Sequence, residues 1–203
     1  EASGLRGGSA LFAIDPSEVR AGIEDLGWVA HASVAVRWPD RVEVLVTPHR
    51  PVANVSVGEQ PSHALATSSG RVLAVEDVEP LLAFSGGLPV IRLEGDSGDD
   101  AAIDDALVAL SGFGRVTRSS AAEVVVEDGE LTLLLGPGAA EGARVFVGTA
   151  AGMPEKSQAI ESVLAGAVEL RCLASLDVSV PARITIERTP GCELPPAERP
   201  EDR

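Results

Sequence analysis

The sequence predicts an α+β protein, a small helix–strand–strand module followed by a larger β-rich one. Three observations carry this. The apolar fraction is 45%, yet aromatics make up only 3% and Tyr is absent, so the core is built from Val, Leu, Ile and Ala, and a Val-rich chain favours strands. Near the start, an Asp-Pro helix signal precedes two alternating segments. Further on, Asp128-Gly129 sits between alternating apolar runs, the strongest short-range hairpin signal. The length of 203 residues fits one large domain or two small ones.

In the first module, Leu11 to Ile14 is a short apolar run. Asp15 as N-cap and Pro16 at the first helical position open a helix to about Leu26. Val19, Ile23 and Leu26 fall at helical spacing, and Gly27 stops the helix. Ser33 to Arg37 alternates as a strand, Trp38-Pro39-Asp40 turns the chain, and Arg41 to Val46 returns.

The second module begins near Pro51. Pro51 to Val57 reads as a strand, and Thr67-Ser68-Ser69-Gly70 is a turn between Ala64–Ala66 and Arg71–Val75. Leu88 to Leu93 is apolar. A helix is expected from about Asp99 to Leu110 and another from Pro154 to Leu164. Strands are expected at Glu123–Val126, Glu130–Leu135 and Arg144–Val147, and a strand-rich stretch broken by Pro181 runs from Leu173 to Ile186. From Thr189 the chain is rich in Pro and Glu and reads as a disordered tail.

Charge removes several classes of function. The net charge is −15, and Lys156 is the one lysine among 16 basic residues. Scattered arginines in so acidic a chain form no stripe for phosphate backbones and suit anionic lipid no better. No apolar run approaches the ~20 residues that span a bilayer, and no signal peptide is visible. The chain opens on Glu1 without an initiator Met and reads as a piece of something longer, with any anchor upstream.

No catalytic or metal constellation emerges. Asp96, Asp99, Asp100, Asp104 and Asp105 lack the spacing and closing Glu of a calcium loop, and acidic residues at a helix start answer the helix dipole. His31, His49 and His63 share no partner pattern. No Ser lies on a Gly-x-Ser-x-Gly elbow, and Gly136-Pro137-Gly138 lacks the Lys-Ser/Thr of a phosphate cradle. An enzyme, for instance a cell-wall hydrolase, would need convergent titratable groups in a cleft. The reading is therefore non-enzymatic, with no cofactor, metal or small-molecule substrate.

Two features remain open on the residues alone. Cys172 and Cys192 are either free thiols or a disulfide. A straight segment of this length would span roughly 66 Å, whereas bonded Cα atoms lie within about 7 Å, so a disulfide needs a turn near Pro181-Ala182. Pro181 inside a strand pattern also marks an edge, bulge or corner. That edge is either a template for a partner strand or a protected one blunted by Arg183, Glu187 and Arg188.

The order of features resembles one family. Leu11-Phe12-Ala13-Ile14-Asp15, Leu26-Gly27-Trp28-Val29 and Ser33-Val34-Ala35-Val36-Arg37-Trp38-Pro39-Asp40 look like the POTRA domain of the FtsQ/DivIB bacterial cell-division proteins. His49-Arg50-Pro51-Val52-Ala53, Ser69-Gly70-Arg71-Val72-Leu73 and Gly87-Leu88-Pro89-Val90-Ile91 follow in the family's order. Val147-Gly148, Lys156, Val163-Leu164 and Leu176-Asp177-Val178-Ser179-Val180-Pro181 resemble its C-terminal β domain.

The resemblance implies an incomplete POTRA domain at residues 1–50, with α-β-β remaining and the N-terminal strand and most of a first helix missing. It implies a mixed β-sheet domain with two helices at 51–188 and a tail at 189–203. The expected role is a divisome scaffold on the extracytoplasmic face of the membrane at the septum, anchored by a transmembrane helix absent from this chain. Its implied partners are FtsB-like and FtsL-like bitopic proteins, bound by strand addition. The implied edge is Val180 to Arg188, carried by Val180, Arg183, Ile184, Thr185, Ile186, Glu187 and Arg188. Some family members have aromatic residues on this strand, and none occurs here. The rival is a POTRA-containing component of a secretion or outer-membrane assembly system, which usually carries tandem copies or a barrel.

Overall fold

In the computed structural model, the described residues are 14–58, 64–74, 81, 86–94, 100–138, 140–167 and 170–192. Contacts divide the chain into two units, residues 1–54 with 62–88 and residues 55–61 with 89–203.

In the first unit, α1 (Pro16–Glu24) starts where the sequence predicts. The Asp15 side chain accepts from the Ser17 amide at 2.8 Å, satisfying an orphan N–H of the first turn. Val19 and Ile23, one helical turn apart, are buried. They pack with Val29 and Ala32, and Trp28, Val34 and Val46 close the cluster. β1 (Val29–Arg37) and β2 (Arg41–Pro48) pair antiparallel from Arg37↔Arg41 back through Ala32↔Val46. Helix, strand, turn, strand is the predicted order. The expected loss of an N-terminal strand and first helix concerns residues 1–13, which lie outside the described residues.

β3 (Pro51–Val57) is shared between the units, with its first four residues in the first. β4 (Ala64–Thr67) and β5 (Val72–Ala74) form the expected hairpin, closed by the Thr67 amide on the Arg71 carbonyl at 2.9 Å. Leu65 and Leu73 are buried there with Leu81, against Trp28.

The second unit contains β6 (Val90–Leu93), α2 (Asp100–Gly112), α3 (Arg115–Ser120), β7 (Ala121–Glu127), β8 (Glu130–Leu135), β9 (Arg144–Gly148), α4 (Met153–Ser162), β10 (Leu173–Asp177) and β11 (Thr185–Arg188). Its strands are ordered β11-β10-β9-β8-β7-β6. The sheet is mixed. β6 runs parallel to β7 and β9 parallel to β10, while β7–β8, β8–β9 and β10–β11 are antiparallel. Asp128, at φ 50°, and Gly129, at φ 78°, make the β7–β8 turn, the left-handed pair that an Asp-Gly hairpin requires.

The core of this unit follows from strand alternation. Ile91 pairs with Val124, Val124 with Leu133, Leu133 with Val145, and Val145 with Leu176. All five are at most 1% exposed. Each contributes its side chain to the same face, because side chains alternate with a period of two along a strand.

The fold is α+β as predicted, but the second module has a third helix beyond the two expected. α3 has six residues, Arg-Val-Thr-Arg-Ser-Ser, several of them weak helix formers. Tertiary contacts sustain it. Ser157 on α4 accepts the Gly114 amide at 3.0 Å, and Glu161 accepts both the amide and the hydroxyl of Thr117 at 2.7 Å. These caps come from more than 40 residues away, so no local pattern announces the helix.

Candidate docking edge

The segment from Leu173 to Ile186 is not one strand. β10 ends at Asp177, whose side chain accepts from the Ser179 amide at 2.9 Å and the Ser179 hydroxyl at 2.7 Å. The Arg183 amide then donates to the Val180 carbonyl at 2.8 Å, which makes Val180–Arg183 a β-turn. Pro181 occupies its second position, where a fixed φ near −65° is preorganised. The chain reverses, and β11 returns along β10 with Leu176↔Ile186 and Asp177↔Thr185.

The residues singled out for the edge therefore divide. Val180 and Arg183 lie in the turn, Ile184 immediately precedes the strand, and Thr185, Ile186, Glu187 and Arg188 form it. An edge running unbroken from Val180 to Arg188 is corrected by this geometry. A proline at the second position of a turn directs the chain back instead of extending it. Asp177-Val178-Ser179-Val180-Pro181 carried that signal, since Asp, Ser and Pro are turn residues each for a separate reason.

All four residues of β11 are exposed. Its inner side is set by the Thr189 amide, which donates to the Cys172 carbonyl at 2.9 Å. Backbone groups alternate sides along an antiparallel strand. Thr185 and Glu187, paired with Asp177 and Ser175, thus point their N–H and C=O groups at β10. Those of Ile186 and Arg188 point to the outer side. The Glu187 carboxylate also accepts from the Ser175 hydroxyl at 2.8 Å. Ile186 continues the buried row Ile91–Val124–Leu133–Val145–Leu176, but as its last member it is 37% exposed. Among the described residues, an unpaired backbone edge and an unfinished apolar row coincide at this residue.

Cys172 and Cys192 are joined, with Cα atoms 5.6 Å apart. The bond ties the residue preceding β10 to a residue four past β11. It thus closes the hairpin at the end opposite its turn. Cys172 is fully buried. Thr189 to Cys192 are described, and the Cys192 amide donates to the Thr189 carbonyl at 3.2 Å. The rest of the expected tail, 193–203, lies outside the described residues.

The other residues weighed in the sequence fall into separate places. Lys156 is buried on α4, and its ammonium donates to the Thr149 carbonyl at 2.8 Å, pinning the turn between β9 and α4. Asp100 opens α2, where the helix dipole favours it, and Asp104 and Asp105 follow on the same helix. Asp96, Asp99 and His63 lie outside the described residues. Among the described residues, no three His, Cys, Asp or Glu side chains could hold a metal ion.

His31 and His49 do not meet in one site. His31 contacts Glu24, Nδ1 to Oε1, at 2.9 Å, beside a cleft of about 300 Å³ along α1 and β1. Glu24 also accepts the Ala32 amide at 3.0 Å, covering a backbone donor of β1 in the manner of a blunted edge. That amide is the main reason the Glu24 carboxyl is held below its ordinary range. The Nε2 of His49 is buried without a hydrogen-bond partner among the described residues. Burial first, and then the nearby Arg71, lower its pKa.

Comparison with known proteins bears on the first unit. Residues 1–49 match the family model described as "POTRA domain, FtsQ-type". The matched stretch contains α1, β1 and β2 and ends at His49. No curated protein matches the chain. Among the described residues, no helix is long and apolar enough to cross a membrane.

Proposed function

We propose that this chain, FtsQ/DivIB-like in carrying an FtsQ-type POTRA domain, is a non-enzymatic divisome scaffold that docks other division proteins at its C-terminal sheet edge. A domain of this type supports a division-related, extracytoplasmic reading. The finer reading is that residues 51–188 act as the family's β domain and receive a strand from an FtsB-like protein, itself associated with an FtsL-like one. The full-length protein is then a single-pass membrane protein at the septum.

The observation that carries this reading is β11. Its outer N–H and C=O groups face away from β10, and Ile186 leaves an otherwise buried row exposed at 37%. An added strand would pair those groups and place an apolar side chain beside Ile186. In this mode main-chain bonds supply much of the affinity, which is why the edge can work without aromatic residues. Glu187 and Arg188 would set register and exclude wrong partners, as charged groups at interfaces do, with Thr185 as an uncharged polar neighbour.

Binding of the purified chain to the extracytoplasmic segment of an FtsB-like protein tests the proposal, with amide exchange recorded in the complex. The expected result is binding that slows exchange of the outward Ile186 amide. Binding that leaves this amide unprotected overturns the site. No binding at high micromolar concentration overturns the scaffold reading.

A further inference from the structure

We propose that the Cys172–Cys192 disulfide is a redox latch that holds β11 in register, so that reduction by a dithiol frees the strand. The consequence for docking rests on the reading of β11 given above; the latch itself does not.

Among the described residues, little else holds β11. The strand has four residues, all exposed, and its register against β10 shifts between Leu173 and Ser175. Ile186, its only apolar residue, is 37% exposed. The charged side chains at Glu187 and Arg188 add weak, solvent-screened contacts. Short edge elements with few buried contacts belong to the low-stability end of a fold and open locally.

The disulfide acts where the hairpin is otherwise open. The turn at Val180–Arg183 closes one end, and Cys172–Cys192 closes the other across a separation of 20 residues. With both ends closed, β11 can leave β10 only as a tethered loop. Without the bond, the opened strand gains the freedom of a chain attached at one end. Loop-closure entropy for about 20 residues corresponds to roughly a 100-fold change in the opening equilibrium.

The chemistry balances with a dithiol as reductant. One dithiol thiolate attacks a cysteine sulfur, the protein S–S bond breaks, and a mixed disulfide forms. The second thiol of the reductant displaces the remaining cysteine. The products are two protein thiols and one oxidised dithiol, with two electrons and two protons transferred to the protein.

The test measures amide exchange of the full chain when oxidised, when reduced with dithiothreitol, and as Cys192→Ser. Cys192 is chosen because Cys172 is fully buried. Two amides report. Thr189 donates to Cys172 within the latched hairpin, and Val178 donates to Phe146 outside it. Exchange at Thr189 should rise roughly 100-fold on reduction and in the variant, with Val178 unchanged. Affinity for the FtsB-like segment should fall in proportion to the fraction of strand released. Unchanged protection at Thr189 overturns the latch, and so does an equal loss at Val178, which would mean that the bond supports the whole unit. Failure of the oxidised chain to bind removes the docking reading instead, with the Thr189 result still deciding the latch.

Discussion

Replacing Ile186 by proline separates the outer side of β11 from its inner side. The Ile186 amide points away from β10, so Ile186→Pro removes no bond of the resident ladder, and proline is tolerated at such edge positions. An added strand would exchange two main-chain bonds with Ile186. The proline deletes one donor, and its ring obstructs the approach to the other. At about 0.5–1.5 kcal/mol net per bond, the loss is about 1–3 kcal/mol, or roughly 5- to 150-fold in Kd. Glu187→Pro is the converse. Its amide faces β10 opposite Ser175, so this variant should lose about 1–3 kcal/mol of strand stability. Titration calorimetry gives the affinities, and denaturant melts confirm that Ile186→Pro remains folded. An Ile186→Pro chain that is folded and binds within twofold of the unmodified chain refutes strand addition at this edge.

Three further outcomes are expected. Glu161→Ala should destabilise the second unit by about 1–3 kcal/mol in denaturant melts, because it strips the amide and hydroxyl of Thr117 of their acceptor. Burial acts to raise the Glu161 pKa, but Thr117, the Val116 amide and Arg115 outweigh it and hold the carboxyl below its ordinary value. Its contribution is therefore full above the usual carboxylate range and disappears as pH falls through the lowered value, so the difference between the two chains should shrink in acid. His49 is held below the usual imidazole range, so the fold favours its neutral form. Its contribution is full above about pH 6.5 and is lost as pH falls, and melts at pH 7 and pH 5 should show a larger drop for the unmodified chain than for His49→Gln. Lys156→Ala should cost about 2 kcal/mol, since it removes both a buried stem and the donor to Thr149, whereas Lys156→Met should restore the packing part of that loss.

Local signals determined most elements of this protein. Asp15-Pro16 starts α1 because a carboxylate takes an orphan amide and proline needs none. Asp128-Gly129 makes a hairpin because both residues accept positive φ. The period of two along a strand turns Val124 and Val126 of β7 and Leu131, Leu133 and Leu135 of β8 inward. The FtsQ-type resemblance rests on the same legible order. What the sequence left open was decided by contacts between distant segments. α3 exists because Ser157 and Glu161 reach it from α4. The cysteines meet because the turn at Pro181 brings β11 back along β10. Within the Val180–Arg188 stretch, Ile186 and Arg188 are the strand residues whose backbone groups face outward, because strand register alone sets which backbone groups face a neighbour and which face solvent. Pattern along a chain fixes faces and ends, whereas pairing and capping across 20 or more residues depend on geometry that only the folded sheet supplies.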